Sequence, residues 1–189
     1  MPIFAPVLDE TQILDFEEGA CVDDGVLAVA VGGIARELGQ DVNTLPEIRS
    51  RYEITLENYC KTVRIEALTM VDMARKEILP SVEAYVSDLA TAAAAKSAVS
   101  EELPWGYEKK LLRKLASLVD TMDGRVDSLE EKLVRLDTLR DTTEEAAFIR
   151  DELIPAMGEL RAVADESETQ TAAKYWPFPT YGEMLFSVK

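Results

Sequence analysis

Apolar residues recur at steps of three and four from Tyr52 to Leu89, through Leu56, Tyr59, Val63, Ala67, Met70, Ala74, Ile78, Val82 and Tyr85. That period marks one face of an α-helix. It predicts a helix of about fifty residues beginning near Glu47, well beyond the usual three or four turns. Ala92 to Ala95 continue it with high helix propensity. Pro80 falls inside it and should kink it, because proline removes a backbone bond and crowds the preceding turn. Ser100 to Gly106, with Pro104 and Trp105, reads as a reversal. A second helix then carries Leu111, Leu115, Leu118, Met122, Val126, Leu129, Leu133 and Leu136 in near-heptad spacing, the pattern of a coiled-coil seam. Gly124 weakens it locally. Thr142-Thr-Glu-Glu145 offers a capping box for a third helix, whose stripe includes Phe148, Ile149, Leu153, Met157, Leu160 and Val163 or Ala164.

Residues 1–46 lack this regularity and read as an irregular lead-in. Val26 to Leu38 fits a short helix, although alternation around Val29 and Val31 also fits a strand. Asn43 or Thr44 is placed to cap the long helix that follows. The predicted fold is therefore all-α: an elongated, antiparallel three-helix bundle over residues 47–173 with long, proline-kinked helices. An aromatic tail follows over residues 174–189. Short turns make consecutive helices alternate in direction, so the first and third run parallel. Both carry the same motif, Arg75-Lys-Glu-Ile-Leu-Pro80 and Arg150-Asp-Glu-Leu-Ile-Pro155. Either this is chance, or two prolines at comparable depth bend both helices around a shared core.

The tail is unusual for a chain end. It holds Tyr175, Trp176, Phe178, Tyr181 and Phe186, and Pro177 and Pro179 prevent it from extending the preceding helix. Chain ends are loose unless tied down. This one needs a docking surface, on its own fold or on a partner, with Tyr175, Trp176, Phe178, Tyr181, Leu185 and Phe186 as the anchors.

Composition removes several function classes. Twenty Lys and Arg against 36 Asp and Glu give a net charge of −16, which disfavours phosphate-backbone binding. The basic run Lys109, Lys110, Arg113 and Lys114 flanks a leucine pair and reads as a solvated helix face. Histidine is absent, removing the commonest general base and the commonest transition-metal ligand. Cys21 and Cys60 have no metal-ligand or disulfide spacing, and Cys60 lies in the apolar stripe. Glu53, Glu57, Glu66 and Asp72 fall mostly off that stripe and read as solvated charges or bundle-edge salt bridges. No apolar run reaches the length of a membrane span, and the N-terminus lacks the basic start of a secretory signal. A cytoplasmic protein without its own catalytic, cofactor or metal residues is the expectation.

Three segments carry a resemblance. Residues 49–74, from Arg49-Ser-Arg-Tyr to Asp72-Met-Ala74, resemble the start of the C-terminal helical region of type III glutamine synthetases. Residues 150–165 and Trp176-Pro-Phe-Pro-Thr-Tyr-Gly-Glu-Met-Leu-Phe186 are similar to its end, in the same order and separation. The resemblance spans about residues 47–189. It implies a family that ligates ammonia to glutamate with ATP and divalent metal, in large ring-shaped assemblies. Its catalytic residues lie upstream, and residues 1–46 do not match that core, so no catalytic residue carries over. The expected role is non-catalytic, in subunit packing or assembly, with the partner a synthetase catalytic domain or a second copy of the chain. The alternative is an independent scaffold that self-associates through the leucine seam. A free-standing enzyme is the remaining reading.

Overall fold

The computed structural model describes residues 45–100, 104–179 and 181–186. The suggested short element at residues 26–38, the cap at Asn43 or Thr44, and Cys21 lie outside them. Most of the described residues are helical, and there is no strand among them. Helix α1 spans Leu45–Met73, and a π-helical turn, Ala74–Ile78, joins it without interruption to α2, Leu79–Val99. Helix α3 spans Gly106–Leu136. Helix α4, Thr142–Phe148, runs through a second π turn, Ile149–Leu153, into α5, Ile154–Gln170. A six-residue helix, α6, Tyr181–Phe186, lies in the tail.

The chain divides into two compact units, with the boundary at Tyr59 and Cys60. In the first, residues 45–59 are helical. There Arg51 pairs with Glu47 one turn earlier at 2.8 Å, and Tyr52 and Ile54 are exposed.

In the second unit the prediction of long amphipathic helices holds closely. All eight seam residues of α3 are buried, with Leu115, Met122, Val126 and Leu129 fully so. They pack against α2 and the first π turn on one side, and against α5 and the second π turn on the other. The first stripe buries Val63, Ala67, Met70, Ala74, Ile78 and Val82, and the third buries Phe148, Ile149, Leu153, Leu160 and Ala164. Tyr85 and Leu89 are half-buried. Cys60 is buried, and Lys109, Lys110, Arg113 and Lys114 are exposed.

Cross-helix ion pairs fix the directions. Arg64 meets Asp137 at 2.6 Å, Arg75 meets Asp127 and Glu130 at 2.6 Å each, and Lys96 pairs with Glu108. Rising numbers on the first helix against falling numbers on α3 make the two antiparallel. Lys132–Glu152, Arg125–Glu159 and Lys114–Glu166 do the same for α3 and α5. Hydrogen bonds from Lys96 and Lys132 hold Glu108 and Glu152 below the usual carboxylate range. All these groups are at least partly exposed, so each pair contributes little on its own.

A π turn precedes each of the two prolines. Each occupies the first turn of the α-helix that follows a π turn. Within each π turn the last bond spans five residues: the Leu79 N–H donates to the Ala74 carbonyl, and the Ile154 N–H to the Ile149 carbonyl. The backbone stays right-handed helical throughout, at φ −73°, ψ −57° for Ile78 and φ −77°, ψ −50° for Leu153. A widened turn thus takes up each proline. The repeated motif is a structural repeat, but the prolines are not level. The Cys60 thiol reaches the Thr142 carbonyl at 3.9 Å, across 82 residues, whereas Pro80 and Pro155 are only 75 apart. The two are staggered by about two turns, roughly 10 Å at 1.5 Å per residue.

The third helix is capped one residue earlier than the capping box implied. Asp141 is the N-cap, and its carboxylate accepts the Glu144 N–H at 3.0 Å. Gly124 is exposed, and a Cβ there would meet nothing within 4 Å. Gly124→Ala is therefore expected to stabilise the protein by about 1 kcal/mol, read as a raised urea midpoint with an unchanged slope. Among the described residues no helix is long and apolar enough to cross a membrane.

Candidate docking site

The tail begins where α5 runs out of apolar periodicity. Ser167 and Thr171 are the buried polar residues at this end, and both are satisfied locally. The Ser167 hydroxyl donates to the Val163 carbonyl and that of Thr171 to the Ser167 carbonyl, both at 2.8 Å. Thr171 turns extended, at φ −85° and ψ 135°. A turn follows in which the Tyr175 N–H donates to the Ala172 carbonyl at 2.9 Å and the Trp176 N–H to that of Ala173 at 3.2 Å. Pro177 and Pro179 then bar a return to helix, because the residue before a proline avoids the α region.

That turn sends Tyr175 across to α2. Its ring lies 4.9 Å from that of Tyr85, tilted by 33°, and its hydroxyl donates to the Asp88 carboxylate. The Lys174 ammonium sits 4.4 Å from the Tyr175 ring centre. Hydrogen bonding to Tyr175, with the charge of Asp88 nearby, holds Lys174 above its usual range. Burial, then the neighbouring Tyr107, pushes the Tyr85 phenol up. Tyr175→Phe removes the bond to Asp88 and is expected to loosen the turn by about 1 kcal/mol. Hydrogen exchange at the Tyr175 and Trp176 amides should speed up roughly fivefold, with the amides of α3 unchanged.

Beyond Tyr175 the tail becomes more open: Trp176 and Phe178 are half-buried, and Pro177 and Pro179 are exposed. Trp176 and Phe178 meet edge to face, with ring centres 6.3 Å apart at 69°. They line an open hollow of about 760 Å³, together with Glu168, Thr171, Glu183 and Met184. The Trp176 Nε1–H is shielded from water and has no hydrogen-bond partner among the described residues. Met184 and Leu185 on α6 are 57% and 55% exposed.

Residues 37–97 match the glutamine synthetase C-terminal domain family; the described part of that match is α1, the first π turn and most of α2. A glutamine synthetase of Butyrivibrio fibrisolvens is 36% identical over 146 residues, which cover 77% of this chain and 21% of that protein. The chain is related to the C-terminal helical region of type III glutamine synthetases. A type-3 glutamine synthetase of Dictyostelium discoideum is 27% identical over 150 residues, covering 74% of this chain and 20% of the relative. For a glutamine synthetase of Bacteroides fragilis (strain YCH46) the values are 27% over 158 residues, 79% and 21%. The chain spans about a fifth of the length of these synthetases.

Within this synthetase-like region the six tail residues take different places. Tyr175 is tied to α2. Trp176 and Phe178 are brought together at the hollow, and Leu185 is exposed on α6. Tyr181 and Phe186 belong to α6, and their side chains lie outside the described residues. Sequence reasoning passed over Asp88, Tyr85 and Glu168. Only Tyr85 stood out in the pattern, as an aromatic where the first stripe becomes half-buried. Among the described residues, no group of three or more Cys, Asp or Glu side chains is arranged to hold a metal ion.

Proposed function

We propose that this chain is a non-catalytic helical module of the type III glutamine synthetase kind, and that its tail provides a docking face in subunit packing or assembly. The observation that carries this reading is the division of the tail. Tyr175 fastens its root to α2, so the hollow beside Trp176 and Phe178 and the exposed Met184 and Leu185 are held at a fixed place. Aromatic anchors in a pre-set position lose little freedom on binding, which favours them as interface centres. ATP, divalent metal and the ligation of ammonia to glutamate belong, on this reading, to a catalytic domain with which the module packs in the cytoplasm.

Self-association through the leucine seam is the weaker reading, because those eight side chains are already buried within the chain. A second copy also brings another −16 of charge, and like charge opposes its approach. Mass photometry of the chain titrated with a type III synthetase catalytic domain tests the proposal. Association is expected, and Trp176→Ala with Phe178→Ala should weaken it at least tenfold. No association, or association indifferent to both substitutions, sinks it.

A further inference from the structure

We propose that the tail hollow receives an extended, cationic peptide segment, with its apolar side chains over Trp176 and Phe178 and a lysine or arginine beside Glu168. This deepens the docking reading and rests on the tail being a contact face. Shape and lining come first. The hollow opens to solvent, and its walls are an edge-to-face aromatic pair, two prolines and a methionine. Such a surface suits proline or aliphatic side chains of an extended chain, which stack on aromatic faces at small entropic cost.

Charge decides what else the segment carries. Among the described residues, the charged ones of the lining are Glu168 and Glu183, with no lysine or arginine. Glu168 makes no ion pair among the described residues, whereas Lys114 and Arg161 are engaged by Glu166 and Asp165. The whole chain is at −16. An anionic ligand or a second copy would be repelled, while a cationic segment would be steered in and held. The aromatic faces add attraction for the same cation.

The Trp176 indole supplies a third argument. Its N–H is buried without an acceptor among the described residues, a standing cost in a closed structure. A small rotation of the indole toward an arriving peptide carbonyl gives that donor a partner. A small apolar ligand offers no such acceptor, so the inference is specific to peptide.

The test uses the full chain carrying Trp105→Phe, which leaves Trp176 as its sole tryptophan. The probe is a blocked peptide of three Pro-Lys-Leu repeats, with a Pro-Glu-Leu counterpart as control. The lysine peptide is expected to shift Trp176 emission saturably, with the glutamate peptide at least tenfold weaker. Glu168→Gln, at a half-exposed position that leaves packing alone, should weaken the lysine peptide at least fivefold, as should Phe178→Ala. Equal response to both peptides, no saturable shift, or indifference to Glu168→Gln overturns the inference. If the peptides fail while catalytic-domain association still depends on Trp176 and Phe178, the docking reading stands and only the cationic-peptide inference falls. If both fail, the tail is not a contact face and both fall.

Discussion

Replacing Leu129 with alanine is expected to cost about 3–5 kcal/mol and to lower the thermal midpoint by roughly 10–15 °C. Leu129 is fully buried in the middle of α3, the helix that packs against both neighbours. Truncation there opens a cavity facing two interfaces, and neither neighbour can collapse into it without leaving the other. The control lies on the same helix. Val134 is 67% exposed, so Val134→Ala should change stability by no more than about 0.5 kcal/mol. Urea and thermal unfolding followed by circular dichroism would compare them. Equal effects for the two would mean that α3 is not the packed centre.

The second large effect concerns the first π turn. A π turn holds one residue more than an α turn, so deleting the exposed Lys76 should let Ala74–Ile78 close to regular helix with the flanking faces in register. Pro80 would then sit inside an ordinary helix, clashing with the carbonyl four residues back, at a cost of about 3 kcal/mol. Pro80→Ala alone should shift stability by no more than about 1 kcal/mol. Combined with the deletion, it should recover most of the loss, giving a coupling of about 2–3 kcal/mol in a double-mutant cycle. Additive effects would show that the π turn answers to something other than the proline.

Much of the fold was open to pattern reading because helix burial is periodic. The α3 seam is the clearest example: eight residues at heptad-like spacing are the eight that the fold buries. The π turns were less open, although a trace existed. Met70, Ala74, Ile78 and Val82 follow one another at steps of four. On an α-helix each such step drifts by about 40°, and a wider turn absorbs that drift. Reading the proline as a kink gave no notice of the widened turn before it, because the rule for proline is written for regular helix. The cap at Asp141 was missed for a different reason. Asp141 and Thr142 are both good caps with a glutamate three residues on, and only the backbone geometry separates them. At the tail, aromatic content announced a docking segment, but nothing local showed that Tyr175 would find Asp88, 87 residues away. Such a pairing follows from the antiparallel stacking of whole helices.

The order of those helices has a kinetic consequence. In the unit from Cys60 onward, each helix packs against its neighbour in sequence, across connections of only a few residues. Short loops keep the closure entropy small, and contacts between sequence neighbours place this unit among rapidly folding topologies. The first helix and α3 can form a hairpin before α5 has left the ribosome, and α5 then adds to a surface already in place. The tail comes last, and its ties from Tyr175 to Tyr85 and Asp88 close loops of about 90 residues. Its docking face would thus be completed only after the helices beneath it have set.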